Sequence, residues 1–259
     1  MQRPVSVSIL LIVVALVLVG PHIVLTDPML TDSAAQLQPP NQQHLLGTDL
    51  LGRDVLSRVL HGGRLTLLIA GLSALLAIGI GVPVGGIAGM WSDRIGAVLM
   101  IMVNALLAIP SLVIALVVVT LIGRGSLPLV VALGIAQIAP VAVMTRTAIL
   151  TVRSETYVDA AKSLGATSLQ ILWHHILPNI RPTVLAYGGV VFSYTLLNGA
   201  ALSFLGVGND LGTPDWGVML AEGRAAFRTA PWIGIAPGVA ITLLVWVVND
   251  LTDRAGTRR

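Results

Sequence analysis

ETYVDAAKSLGATSLQILWHHILPNIR, residues 155–181, decides how the rest of the chain is read. It holds the only lysine in 259 residues and lies between two apolar runs of more than 20 residues. Thr156 is a candidate N-cap for a short helix over Tyr157 to Leu164. Gly165 supplies the left-handed position that ends a helix cheaply. Thr167 or Ser168 can cap a second segment from Leu169 to Ile176, and Pro178 is expected to stop it. A helix–Gly–helix elbow on an otherwise oily chain is a shape for docking.

Working outward, hydrophobic residues make up 55% of the chain and charged residues 10%, whereas soluble domains carry about 25% charged residues. A hydrocarbon core takes about 20 helical residues to cross. Six uncharged runs meet that length: 5–26, 65–92, 95–123, 125–145, 182–209 and 229–249. The expected fold is all-α and polytopic, with six transmembrane helices, which a soluble core could not absorb. The first run resembles a signal peptide to residue 19, but it continues to Thr26 with no small-x-small site directly after it, so an uncleaved helix is expected. The expected organisation is a first helix (1–26), an external segment (27–63), a five-helix core (64–250) and a tail (251–259). Within that core, 150–182 is an inner loop and 206–228 an outer one.

With the N-terminus inside, nine basic residues fall on the inner side: Arg3, Arg94, Arg146, Arg153, Lys162, Arg181, Arg254, Arg258 and Arg259. Six fall outside: Arg53, Arg58, Arg64, Arg124, Arg224 and Arg228. This bias follows the positive-inside rule and places the elbow and both termini in the cytoplasm. The inner turn before the third run is Asp93-Arg94. The charge balance gives no reason to expect nucleic acid as a partner.

Outside, Thr48 or Asp49 can cap an amphipathic helix to about Leu60, with Asp54 and Arg58 as an i,i+4 pair and Gly62-Gly63 as the joint to the next span. The second outer segment, 203–224, reads as tight turns and then a short helix from about Trp216 to Phe227. Asp49, Arg53 and Asp54 in the first segment, and Asp215, Trp216 and Glu222 in the second, fit either a structural cap or an external docking surface. The glycines of 65–92 let helices approach closely in lipid. Asn104, Gln137, Tyr194 and Asn198 are polar points within the spans; they fit either interhelical contacts or the lining of a substrate pathway.

Several chemistries are excluded. The chain has no cysteine, hence no disulfide or thiolate site. A P-loop needs Gly-Lys-Ser/Thr, and Lys162 follows Ala161, so no nucleotide-binding motif or metal site is expected in this chain. His174 and His175 are adjacent and point about 100° apart on a helix, so they cannot chelate one ion together. No Gly-x-Ser-x-Gly elbow occurs. What remains is a membrane bundle with no engine of its own.

Asp159-Ala160-Ala161, Gly165 and Ile176-Leu177-Pro178 resemble the cytoplasmic loop of permease subunits of ATP-binding-cassette importers, which reads Glu-Ala-Ala, three residues, Gly, about nine residues and Ile-x-Leu-Pro. Aspartate replaces glutamate, and the isoleucine is one place nearer the proline. GTDLLGRDVLSR (47–58), ALSFLGVGNDLGTPDWGVMLAEGR (201–224) and TAPW (229–232) are similar to the dipeptide/oligopeptide/nickel permeases, dipeptide permease C type. The resemblance implies the type I importer permease fold with coupling helices and a place in the bacterial inner membrane. Its implied partners are a second permease, two ATPase subunits that bind ATP and Mg, and an external substrate-binding protein. It assigns coupling to Tyr157, Asp159, Ala160, Ala161, Lys162, Gly165, Ala166, Leu177 and Pro178. Peptides are the expected cargo; nickel chelates, glutathione and other small solutes are alternatives. An ion-coupled transporter would place ionisable residues in the spans, and none of the six runs holds Asp, Glu, Lys or Arg.

Overall fold

A computed structural model describes residues 3–24, 26–91 and 94–256. Asp93 of the inner turn and Arg258 and Arg259 of the tail lie outside the described residues. In chain order the helices are α1 (Arg3–Ile23), α2 (Val55–Met90), α3 (Arg94–Leu107), α4 (Ser111–Ile122), α5 (Ser126–Arg153), α6 (Thr156–Ser163), α7 (Ser168–Ile171), α8 (Leu177–Phe204), α9 (Trp216–Gly223) and α10 (Trp232–Gly256). Helices α2, α5, α7–α8 and α10 are each long and apolar enough to cross a membrane. The third expected span is not straight: α3 and α4 meet at 87°. Pro110 has no N–H to continue α3 and instead sits as the residue before α4. Helix α1 packs on the bundle through Val17.

The bundle is organised on α2 and α5, which make its most extensive helix–helix contact. Gly81, Gly85 and Gly89 recur at four-residue spacing along one face of α2. A Cβ there would come within 2.7 Å of Val141, 2.2 Å of the Ala142 carbonyl oxygen and 2.9 Å of Ile149, respectively. Lipid tails give helices no hydrophobic reason to associate, so such close backbone contact is the main attraction available. Gly79 and Gly86 face open space and contribute nothing to this seam.

Three expectations are corrected at the N-terminal end of α2. No separate amphipathic helix runs from Thr48 to Leu60: Asp54 is the N-cap, accepting from the Ser57 N–H at 2.7 Å, and α2 then runs unbroken for 36 residues. Gly62 and Gly63 are not a joint but contact points, where a Cβ would press on the Pro214 backbone (3.0 Å) and on Val17 (2.7 Å). Asp54 does not pair with Arg58, because a cap residue stands outside the helix whose i,i+4 geometry the pair needs; it pairs with His44 at 2.9 Å.

The elbow brings two more corrections. The cap position before α6 is Glu155, without a side-chain bond, and Thr156 is already helical. Pro178 does not stop the second segment. Residues Leu172–Ile176 form one π-helical turn, with the Leu177 N–H bonded to Leu172 O, and the helix continues into α8. The wider turn separates the proline ring from the carbonyl four residues back, with which it would collide in α geometry.

Proline also explains how α1 is held. Pro21 has no N–H to give the Val17 carbonyl, and Arg64 of α2 donates to that oxygen instead, Nε to O at 3.1 Å, and also to Leu18 O. An orphan carbonyl in one helix thus becomes an anchor for another.

Candidate functional site

The elbow is a folded unit. The Gly165 N–H bonds to Lys162 O at 2.9 Å and the Ala166 N–H to Ala161 O at 3.1 Å, with Gly165 at φ +87°. This pair of bonds is the Schellman closure, and it satisfies the orphan carbonyls at the end of α6. Thr167 then opens α7 with a reciprocal capping box to Gln170. The inner side of the elbow is anchored by Val158, which is fully buried among Ile149, Ile171, Ile176 and Ile180. Burying a valine this way contributes about 1.5–3 kcal/mol. The phenol of Tyr157 accepts from Asn179 Nδ2 at 3.1 Å, tying α6 to the start of α8.

The outer side of the elbow is open. Tyr157, Asp159, Ala160, Lys162, Gly165 and Pro178 are exposed, while Ala161, Ala166 and Leu177 are half-buried. Asp159 and Lys162 pair with each other at 2.8 Å, both exposed, so the bridge adds little to stability. Sequence reasoning missed the most exposed apolar group, Leu164 at 89% exposure, which stands at the tip beside Gly165. Leu169 and Trp173 continue the apolar surface. The signal was available: a leucine just before a helix-ending glycine, with no partner in its own helix.

The elbow is tied to α2 from behind. Arg153, the last residue of α5, donates through Nη1 to Met90 O at 3.0 Å and to Gly89 O; Arg146 Nε reaches Ala88 O at 3.3 Å. Two cations thus close the carbonyl end of α2, where the helix dipole favours positive charge.

At the opposite end the six proposed docking residues turn inward. Asp49, Arg53, Asp54, Asp215 and Trp216 are buried, and the Glu222 side chain is 15% exposed. Asp49 Oδ2 accepts from Arg53 Nε (2.6 Å) and Arg58 Nη1 (2.5 Å), while its Oδ1 takes the backbone N–H groups of Leu51 and Arg53. Glu222 Oε2 faces Arg53 Nη2 (2.9 Å) and Arg58 Nη1 (2.8 Å), and its Oε1 accepts the Gly212 N–H. Two arginines and two carboxylates from distant parts of the chain form one neutral, buried cluster, which welds the first outer segment to the second. Asp49, Arg53 and Glu222 also line an open cleft of about 500 Å³ with Leu50, Leu51, Phe204, Leu205, Leu211 and Arg224.

Asp215 caps α9 by accepting from the Gly217 and Val218 N–H groups at 2.9 and 3.0 Å, and Thr66 of α2 donates to its second oxygen. Burial pushes its carboxyl above the ordinary aspartate range, against the lowering effect of these bonds. A carboxyl raised on folding stabilises most when protonated, and that stabilisation is lost as pH rises through the raised value. The fall of thermal stability as pH rises above the ordinary aspartate range, about 4, is therefore expected to be shallower in Asp215→Asn; equal slopes in the two proteins would refute it.

The four candidate pathway residues lie on three helices. Asn104 of α3 and Tyr194 of α8 are exposed, Asn198 of α8 is half-buried, and Gln137 of α5 is buried at 5% exposure. Among the described residues no group of three or more His, Asp or Glu side chains could hold a metal ion.

Residues 81–257 match the family described as the binding-protein-dependent transport system inner membrane component. The chain belongs to this family. Its match covers the C-terminal part of α2 and every later helix, the elbow included, so this inner membrane component is a multi-pass membrane protein. The chain is 35% identical over 250 residues to the di/tripeptide transport system permease protein DppC of Pseudomonas aeruginosa, covering 94% of this chain and 82% of that one. It is 37% identical over 217 residues to the glutathione transport system permease protein GsiD of Pectobacterium atrosepticum, covering 83% and 71%. The MetNI methionine ABC transporter has the same fold, with TM-score 0.63 at 19% identity over 76% of this chain and 93% of that one.

Proposed function

We propose that the chain is a permease subunit of an ATP-driven importer and forms half of a pathway for di- or oligopeptides. The observation that carries this is the elbow: a rigid helix–Gly–helix unit, buried on its bundle side and exposed on the other, on a chain without a nucleotide-binding motif. The relatives, di/tripeptide and glutathione permeases, support a peptide-like cargo. In this reading both termini and the elbow are cytoplasmic, and two ATPase subunits supply ATP and Mg. One ATPase receives Leu164, Leu169 and the Tyr157–Ala166 surface in a groove. A second, related permease covers apolar groups that α3 and α4 expose, such as Ile101, Met102 and Leu121. Asn104, Tyr194 and Asn198 face the shared pathway, and Gln137 positions α5 behind them. An external binding protein docks over the outer cleft on Leu50, Leu51, Leu205 and Leu211, while the buried cluster beneath gives that surface its rigidity.

ATP-driven approach of the ATPases moves the elbows together and opens the pathway outward, and hydrolysis resets it. This is a two-state bundle biased by ligands at both ends. The absence of natural cysteine makes one experiment decisive. Leu164→Cys is expected to react with a membrane-impermeant maleimide only from the cytoplasmic side, and to lose that reactivity when the ATPase subunits are co-expressed. Labelling from outside, or labelling unchanged by the ATPases, would overturn the reading.

A further inference from the structure

We propose that the groove between the inner halves of α2 and α8 is a binding site for an anionic phospholipid of the inner leaflet. The proposal rests on the cytoplasmic placement of the elbow given above. The groove has a volume of about 420 Å³ and is lined by Val82, Trp173, Leu177, Arg181, Val184 and Leu185, with no carboxylate among its lining residues. Its long wall is α8, whose lining residues run from Leu177, the first of that helix, to Leu185, eight residues on; Val82 faces it from α2. At about 1.5 Å per residue that wall rises roughly 12 Å from the inner end of α8 into the hydrocarbon.

The lining changes character along that rise. Val82, Val184 and Leu185 offer an acyl chain apolar walls. Trp173, 61% exposed in the π-helical turn, stands at the foot, where an indole sits at headgroup level. Arg181 is exposed, one turn above Leu177, and makes no ion pair or hydrogen bond among the described residues. An unpaired guanidinium beside an apolar groove, within reach of the interface, fits a phosphate that carries net negative charge and an acyl tail. A zwitterionic headgroup brings its own cation into a site that already holds one. Since Trp173 and Leu177 belong to the elbow and its exit, the bound lipid braces the point where elbow motion enters α8.

The test is native mass spectrometry of the detergent-purified complex of this chain with its partner subunits, titrated with phosphatidylglycerol or phosphatidylcholine. The wild type is expected to retain phosphatidylglycerol about fivefold better than phosphatidylcholine, the factor one interfacial arginine supplies. Arg181→Ala should erase the preference and Arg181→Lys should keep it. Leu185→Trp, which fills the upper groove, should reduce retention of both lipids. Equal retention of the two lipids, or a preference that survives Arg181→Ala, overturns the site. So does indifference to Leu185→Trp, the result expected if a span of another subunit covers the groove. Retention in detergent is independent of sidedness, so a reversed elbow is detected by the Leu164→Cys labelling and not here.

Discussion

Gly165→Val is expected to leave the protein inserted and assembled while uptake into reconstituted vesicles falls about tenfold or more and ATP hydrolysis continues. The backbone at Gly165 has φ +87°, and a Cβ there meets no atom of this chain within 4 Å. The damage is therefore conformational rather than steric. A left-handed position costs an ordinary L-residue about 1–2 kcal/mol and a β-branched one more. Relaxing that strain opens the Schellman closure between Ala161 and Ala166 and changes the angle at which α6 meets α7. Asparagine and aspartate visit this region more readily. The expected order of uptake is therefore Gly, Asn, Asp, Val, with Asp losing more than Asn because it also places a carboxylate on the docking face. Uptake by the valine variant at the normal rate would remove the elbow from the coupling path.

The second large effect is expected at the other end of the bundle. Asp49→Ala removes the carboxylate shared by Arg53 and Arg58 and the acceptor of two backbone N–H groups. Both guanidiniums are buried, and Glu222 alone cannot neutralise them. Breaking a buried ion cluster by removing one partner costs about 3–5 kcal/mol. Loss of folded protein from the membrane and a lowered unfolding temperature are the measurements. A second substitution sets the cause apart from simple damage: Arg58→Met in the Asp49→Asn background restores charge balance and should recover part of the loss. A cost below about 0.5 kcal/mol for Asp49→Ala would mean that water already reaches the cluster.

The sequence and the structure agree where local rules decide. Gly165 at the end of α6, Thr167 as a cap, Trp216 at the start of α9 and the long apolar runs were all legible, because each depends on neighbours a few residues away. The failures share a cause. Reading Asp54 and Arg58 as an i,i+4 pair assumed the residues near them were their partners, whereas Arg58 finds Asp49 and the distant Glu222, and Asp54 finds His44. Pro178 looked like a stop because the rule assumes α geometry, and the chain adopts a π-helical turn instead. Pro110 was read as lying within one span, yet there α3 and α4 diverge by 87°, since nothing in an apolar run encodes direction. The six residues of the two connecting segments fitted either a structural cap or a docking surface, because composition shows that charge is present, not which way it points.

Helix α2 runs without interruption for 36 residues, a length of roughly 54 Å. Its N-terminal end is fixed in the arginine–carboxylate cluster and its C-terminal carbonyls are gripped by Arg146 and Arg153 just ahead of the elbow. A rod clamped at both ends has no slack to absorb a push. Displacement at the elbow must reappear at the far end of α2 as a tilt of the segments welded there, so the two ends of the bundle cannot be set independently.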